Sequence, residues 1–231
     1  LEGGEVQVVP EYLSTFTEFL NNKVNGADAT PIASSDAAAT FAAAQGLAEP
    51  LGITLLTPSS AEDVNAFVVS RAFSEANNVT SLSQLAEWSK TNSLRLGGPP
   101  ECPERPFCQP GLEETYGMKI GNFTALDAGG PLTKGAIDQD KIDVGLLFSS
   151  DGSIADLDFV VLKDDNSLQN VDSVVPAVLT SAVTPQLQAA LDALYAALTT
   201  EDLVALNKAV DIDRGVAAEV AAQWLADHSL A

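Results

Sequence analysis

Short β-rich runs alternate with helical segments along the whole chain, and the connections between them are short. Residues 5–9, 53–56, 66–69, 94–96, 123–126, 144–148, 159–162 and 174–178 read as strands. Helical spacing falls at 16–22, 36–45, 82–90 and 111–116, and three helices close the chain at about 185–198, 201–210 and 215–226. Parallel neighbours need a crossover, commonly a helix, so this alternation predicts an α/β fold with mostly parallel sheets. The run VGLLF at 144–148 is apolar throughout and predicts a strand buried on both faces. Pro10 closes the first strand, and Pro176 suits the 174–178 run to an edge or crossover. Ser14 or Thr15 is placed to cap the first helix, Thr200 and Asp213 the last two. Ser81 and Gln84 have capping-box spacing before a helix that turns Leu82, Leu85 and Trp88 toward a core. Turn-rich stretches near 57–64 and 163–172 separate two groups of strands, consistent with two lobes.

Charge and rare residues then exclude function classes. A net charge of −21 over 231 residues argues against nucleic acid or an anionic membrane as partner, since both need clustered Lys and Arg. No apolar run approaches the roughly 20 residues that span a bilayer. The opening Leu1-Glu2-Gly3-Gly4 has no Met and reads as a mature or truncated piece. A single histidine, His228, leaves no material for a His-based triad or a multi-His metal site. Asp138, Asp140 and Asp143 lack the spacing, Gly and terminal Glu of a calcium loop, so a solvated turn is expected there. No Walker or dinucleotide loop is present, and Ser150-Asp151 has no accompanying base. No metal or cofactor is expected, and an enzyme is the weaker class. The stretch 128–133 is a loop into a helix start, either a plain turn or a place where backbone amides receive an anion.

Cys102 and Cys108 are the two cysteines of the chain, and Arg105 lies midway between them. Their presence points to an oxidising, extracytoplasmic setting. A ring this small contributes roughly 2 kcal/mol, too little to staple a whole fold. One reading is that the ring aims Arg105 as a clamp for a carboxylate or phosphate. The other is an ordinary surface disulfide with Arg105 solvated. Tyr12 ends a strand just before a helix, where it either faces a crevice or packs at a lobe edge.

A set of motifs in one order extends this reading. Leu1-Glu2-Gly3-Gly4 through Pro10-Glu11-Tyr12-Leu13-Ser14-Thr15 resembles "L-x-x-G-x-x-x-x-x-P-E-Y-T-G-T". Asp63-Val64-Asn65-Ala66-Phe67-Val68-Val69 resembles a segment entering a second lobe. Arg105 with Gly111-Leu112 and Tyr116-Gly117 resembles "R-x-x-G…L-x-x-x-Y-G", and Phe148-Ser149-Ser150-Asp151-Gly152-Ser153-Ile154 resembles "Y-S-T-D-G-x-I". Leu162-Lys163-Asp164-Asp165 resembles "L-x-D-D", and 203–210 the helix "L-x-x-L-N-x-x-V". Together they resemble the substrate-binding protein of an osmoprotectant (glycine betaine/choline-type) ABC transporter. The fold implied is the two-lobed type II periplasmic-binding-protein fold, and the Cys102–Cys108 insertion resembles the actinobacterial branch.

The resemblance implies a discontinuous lobe I, 1–62 with 168–231, and a lobe II, 63–167. It implies a first lobe lacking the family's N-terminal strand-helix-strand unit, and closure about a hinge near 58–64 and 163–171. Ligand-binding residues by motif position are Tyr12, Thr15, Asn65, Phe67, Arg105 and Phe148. Tyr12, Phe148 and Phe67 would cage a quaternary ammonium, while Thr15 and Arg105 would take its carboxylate. A further family Tyr falls near Val171 or Asp172, and Asp172 would face a choline-like cation instead. The implied partners are a small osmolyte and an ABC permease, with contact to the membrane only through a lipid anchor outside this chain. The alternatives are a sensory module for another polar solute and a non-binding remnant.

Overall fold

A computed structural model describes Leu1 and residues 3–230. Glu2 of the opening motif and Ala231 lie outside the described residues. The first half of the chain forms β1 (Val8–Tyr12), α1 (Leu13–Asn25), α2 (Ala37–Ala48), β2 (Ile53–Leu55), β3 (Asn65–Ser70), α3 (Arg71–Asn77), α4 (Leu82–Ser89) and β4 (Leu94–Gly98). The second half forms α5 (Gln109–Tyr116), β5 (Ile120–Ala125), α6 (Pro131–Asp138), β6 (Val144–Phe148), β7 (Phe159–Val161), β8 (Val174–Leu179), α7 (Pro185–Ala197), α8 (Thr200–Asn207) and α9 (Ala217–Asp227). Two compact units result: Leu1–Asp63 with Asn170–Ala231, and Val64–Gln169.

The first unit is built on a three-stranded sheet in the order β1-β8-β2, with both pairings antiparallel. β8 is the central strand, so of the edge and crossover placements that Pro176 suited the edge does not hold. The accommodation is local. The Pro176 carbonyl accepts the Leu56 N–H at 3.1 Å, just beyond the end of β2, so the missing proline N–H falls where pairing has already stopped. On the other side Pro176 stands opposite Pro10, which lies inside β1 rather than closing it. A carbonyl turned toward Leu56 makes Pro10–Pro176 a non-hydrogen-bonded pair, where neither strand needs an N–H. Leu13, Phe16 and Leu20 on α1 pack with Ala44 and Ala48 on α2 against Ile53, Leu55, Val175 and Ala177. Tyr195 of α7 joins Ala61 and Val174 in a smaller cluster.

The second unit carries a five-stranded sheet in the order β5-β4-β6-β3-β7. β4 is parallel to β5 and β6, whereas β3 is antiparallel to β6 and β7. The α/β character and the mixed sheet are therefore present, with more antiparallel pairing than alternation alone implies, because β3 and β8 run against their neighbours. Both faces of this sheet are covered. Phe67 and Val69 enter a cluster with Leu82, Leu85 and Leu146, while Ala66 and Val68 enter another with Ile137, Leu147 and Phe159. β6 is buried along Val144–Leu147, as a continuous apolar run requires. Trp88 stacks edge-on against Phe73 at 5.0 Å and donates its N–H to Asn77, so it belongs to the packing.

Several local expectations shift for physical reasons. Thr199 rather than Thr200 caps α8, through a reciprocal capping box with Asp202. α9 starts after Val216 without a side-chain cap, so Asp213 does not serve there. Ser81 does cap α4, but Gln84 reaches the N–H of Thr80 instead of Ser81. α3 has too few apolar positions to read as a period, yet Ser70 caps it cleanly at Phe73.

Candidate functional site

Each unit carries its own share of the motif residues. In the first, β1 delivers Tyr12 directly to the start of α1, with Tyr12 as the N-cap residue and no side-chain cap of its own. Neither Ser14 nor Thr15 caps the helix. Asp172, about 160 positions away, does so instead: its carboxylate accepts the N–H groups of Ser14 (2.7 Å) and Thr15 (3.1 Å) and the Thr15 hydroxyl (2.7 Å). A carboxylate at a helix N-terminus also meets the favourable end of the helix dipole. The segment around Asp172 is latched to α1 by Leu13 N–H to Ser173 carbonyl at 3.0 Å and by the Ser14 hydroxyl on the Val171 carbonyl.

Tyr12, Thr15 and Asp172 are thus brought together, joined by Asp63 of the second-lobe motif and by Glu62, which the sequence did not mark. Burial pushes the Asp172 carboxyl above the ordinary carboxylate range against its hydrogen bonds, and Asp63 adds to the rise. Burial and the charge of Asp172 do the same to Glu62. Burial, then the charge and hydrogen bond of Asp63, raise the Tyr12 phenol. The Tyr12 side chain stays 40% exposed, so its ring remains available to a cation. The excess of negative charge here favours a positive group.

In the second unit, Asn65 and Phe148 are register partners at one end of β3 and β6 and share a face of the sheet. Phe148 is partly exposed. Gly129, at φ +71°, lies so close that an added Cβ would be 3.5 Å from the Phe148 ring. Phe67 is two residues further into the same face and lies under the disulfide loop. It is 2% exposed and packs with Cys102 and Cys108, so it is a core residue and leaves the cage set.

The Cys102–Cys108 bond is formed, with both cysteines fully buried against Leu112 and Leu168. The loop they close turns outward and exposes residues 103–107, Arg105 included. Within this unit the Arg105 guanidinium makes no ion pair, unlike Arg95 with Asp143 and Asp140, or Arg71 with Asp158. Phe107, passed over in the sequence, is 38% exposed and lies two positions after Arg105 on the same loop. Its carbonyl accepts from Gln169 at 3.0 Å and from Asn65 at 3.5 Å. Two motifs support this arrangement from below. Tyr116 donates to Asp164, whose carboxylate accepts the N–H groups of Leu168 (2.9 Å) and Gln169 (2.8 Å).

Other candidate places are occupied. At the start of α6 the amides of Leu132 and Thr133 are taken by the Asp127 carboxylate, so 128–133 is a self-capped turn. Burial alone would raise Asp127, but these bonds win and hold it low. Asp151 pairs with Lys134 at 2.7 Å and accepts from Ser153. Asp140 and Asp143 serve Arg95, and the described residues contain no group of His, Cys, Asp and Glu able to hold a metal ion.

Comparison with known proteins gives the family. Residues 1–227 match the OpuAC family, described as the substrate binding domain of ABC-type glycine betaine transport system. The chain belongs to this family. Glycine betaine-binding protein YehZ of Escherichia coli (strain K12) is 26% identical over 234 residues, which span 97% of this chain and 75% of YehZ. The glycine-betaine-binding protein of Pseudomonas aeruginosa is 26% identical over 206 residues, spanning 84% of this chain and 66% of its own length. The structure of apo YehZ superposes with a TM-score of 0.79 at 26% identity, covering 100% of this chain and 83% of YehZ. The crystal structure of a glycine betaine/carnitine/choline ABC transporter protein gives a TM-score of 0.83 at 24% identity, covering 100% of this chain and 82% of the other. This OpuAC-family chain has the two-lobed type II periplasmic-binding-protein fold of these relatives. Such proteins serve ABC importers outside the cytoplasmic membrane, and no described helix is long and apolar enough to cross one.

Proposed function

We propose that this chain captures glycine betaine or a closely related quaternary ammonium zwitterion and presents it, chemically unchanged, to an ABC permease. The observation that carries the reading is Arg105: an exposed guanidinium without an ion pair in its unit, on a disulfide-braced loop that also carries Phe107. In a chain of charge −21 a cation left unneutralised on a held loop suits an external carboxylate. The first unit, taken by itself, carries the Tyr12 ring with Asp63 and Asp172, a setting that favours a desolvated cation. Phe148 and Phe107 add ring faces, and Asn65 steadies the loop. Attachment by a lipid anchor and docking on the permease belong to the same reading.

Isothermal titration with glycine betaine, proline betaine, carnitine, choline and proline tests it. Arg105→Ala is expected to weaken the carboxylate-bearing ligands about 10- to 100-fold. Lys90→Ala, which alters an exposed pair with Glu87, serves as control. Equal behaviour of the two variants sinks the assignment. A second reading, a choline-like cation without a carboxylate, draws on the raised carboxyls of Glu62 and Asp172. It predicts tight choline binding that Arg105→Ala leaves unchanged and Tyr12→Ala removes.

A further inference from the structure

We infer that Gln169 is a positioning residue whose side-chain amide fixes the loop carrying Arg105 and Phe107 and so sets how Arg105 meets a ligand carboxylate. The inference rests on the reading of Arg105 given above. The Gln169 amide works in both directions: its Nε2 donates to the Phe107 carbonyl at 3.0 Å, and its Oε1 accepts from Asn65 Nδ2, also at 3.0 Å. Asn65 Nδ2 reaches the same carbonyl at 3.5 Å, which closes a three-membered bridge between strand β3, the loop and residue 169. Residues 103–107 are exposed and form no strand or helix. Backbone bonds tie the N–H groups of Glu104 and Arg105 to the Glu101 carbonyl and the Cys108 N–H to the Arg105 carbonyl, while the Phe107 carbonyl is held by the side chains of Gln169 and Asn65.

Gln169 is itself firmly seated. Its own N–H and that of Leu168 are bound by Asp164, which Tyr116 holds in turn. Leu168 packs in the core with both cysteines and Leu112. A Cβ on Gly111 would meet the Pro106 carbonyl at 2.2 Å and Leu168 at 2.4 Å, so the helix after the loop packs directly under it. The neutral amide matters chemically. It donates to a carbonyl without placing a carboxylate near Arg105, which would compete with the ligand.

The experiment measures glycine betaine affinity by calorimetry for the parent, Gln169→Leu, Arg105→Ala and the double variant. Amide hydrogen exchange of segment 103–108 is followed without ligand. Gln169→Leu is expected to weaken binding about 5- to 30-fold, the size of one or two lost hydrogen bonds. On the Arg105→Ala background the same change is expected to add less than about twofold, because two residues acting through one contact are not additive. Exchange in 103–108 is expected to quicken several-fold in Gln169→Leu while α4 stays protected. Affinity within about twofold of the parent overturns the inference, and so does the full loss recurring without Arg105. Unchanged exchange in 103–108 overturns it independently of any ligand. A parent that binds none of the betaines overturns the functional reading instead, and the exchange rates still decide whether Gln169 holds the loop.

Discussion

A single atom's room decides several positions. Gly111 is followed by ordinary helix, yet any side chain there would strike the Pro106 carbonyl. Gly111→Ala is expected to displace the loop and cost about 1–3 kcal/mol of stability, measured as a lower denaturation midpoint in urea. Affinity for betaines is expected to fall with it. Phe67 and Phe148 show the same economy of space. Both are aromatic residues in motif-bearing strands, and nothing in their types separates a cage ring from a core ring. The register of β3 against β6 separates them, leaving one at the rim and placing the other beneath the disulfide. Arg105 stands out as a candidate in the sequence because cations are few and the cysteines frame it. Gln169 was not, since its role exists only once Asp164 and Tyr116 have formed their turn.

At the scale of elements, caps and rings do the local work. Thr199 and Asp202 close a capping box at α8, and Trp224 of α9 donates to the same Asp202 at 2.9 Å. Thr199→Ala is therefore expected to destabilise the protein by about 1–2 kcal/mol in chemical denaturation. Thr199→Ser, which keeps the hydroxyl, should recover most of this. Replacing Cys102 and Cys108 by Ser is expected to cost roughly 2 kcal/mol from the ring closure itself, beyond any loss of buried packing. The strand and helix alternation was readable because buried strands and amphipathic helices have different periods. Strand direction was not readable. Alternation suggests crossovers, but β8 pairs antiparallel with both β1 and β2, a direction that no local pattern encodes.

For the whole molecule, two sets of carboxyls pull stability in opposite directions with pH. Glu62 and Asp172 are raised, so their contribution is full below the ordinary carboxylate range and is lost as pH rises through their shifted values. Asp151 and Asp202 are lowered, because ion pairing and hydrogen bonds outweigh burial. Their contribution is present at neutral pH and lost as pH falls through the shifted values. Glu62→Gln is expected to be more stable than the parent near neutral pH, with the difference vanishing once Glu62 is protonated in acid. Asp151→Asn should show the reverse, a loss at neutral pH that fades on acidification. Urea midpoints measured across the acidic range check both. With a charge of −21, moderate salt is also expected to raise the thermal midpoint by screening self-repulsion.

The sequence by itself determined the α/β character, the two groups of strands, the strongly acidic net charge, and the resemblance that the family match bears out. Those properties follow from periodicity, net charge and ordered motifs, which are written along the chain. The tertiary structure decided which motif residues stay exposed, that Asp172 caps α1, and that Asn65 and Gln169 brace the Arg105 loop. These depend on contacts across gaps of 62 to 158 positions, which no local pattern encodes.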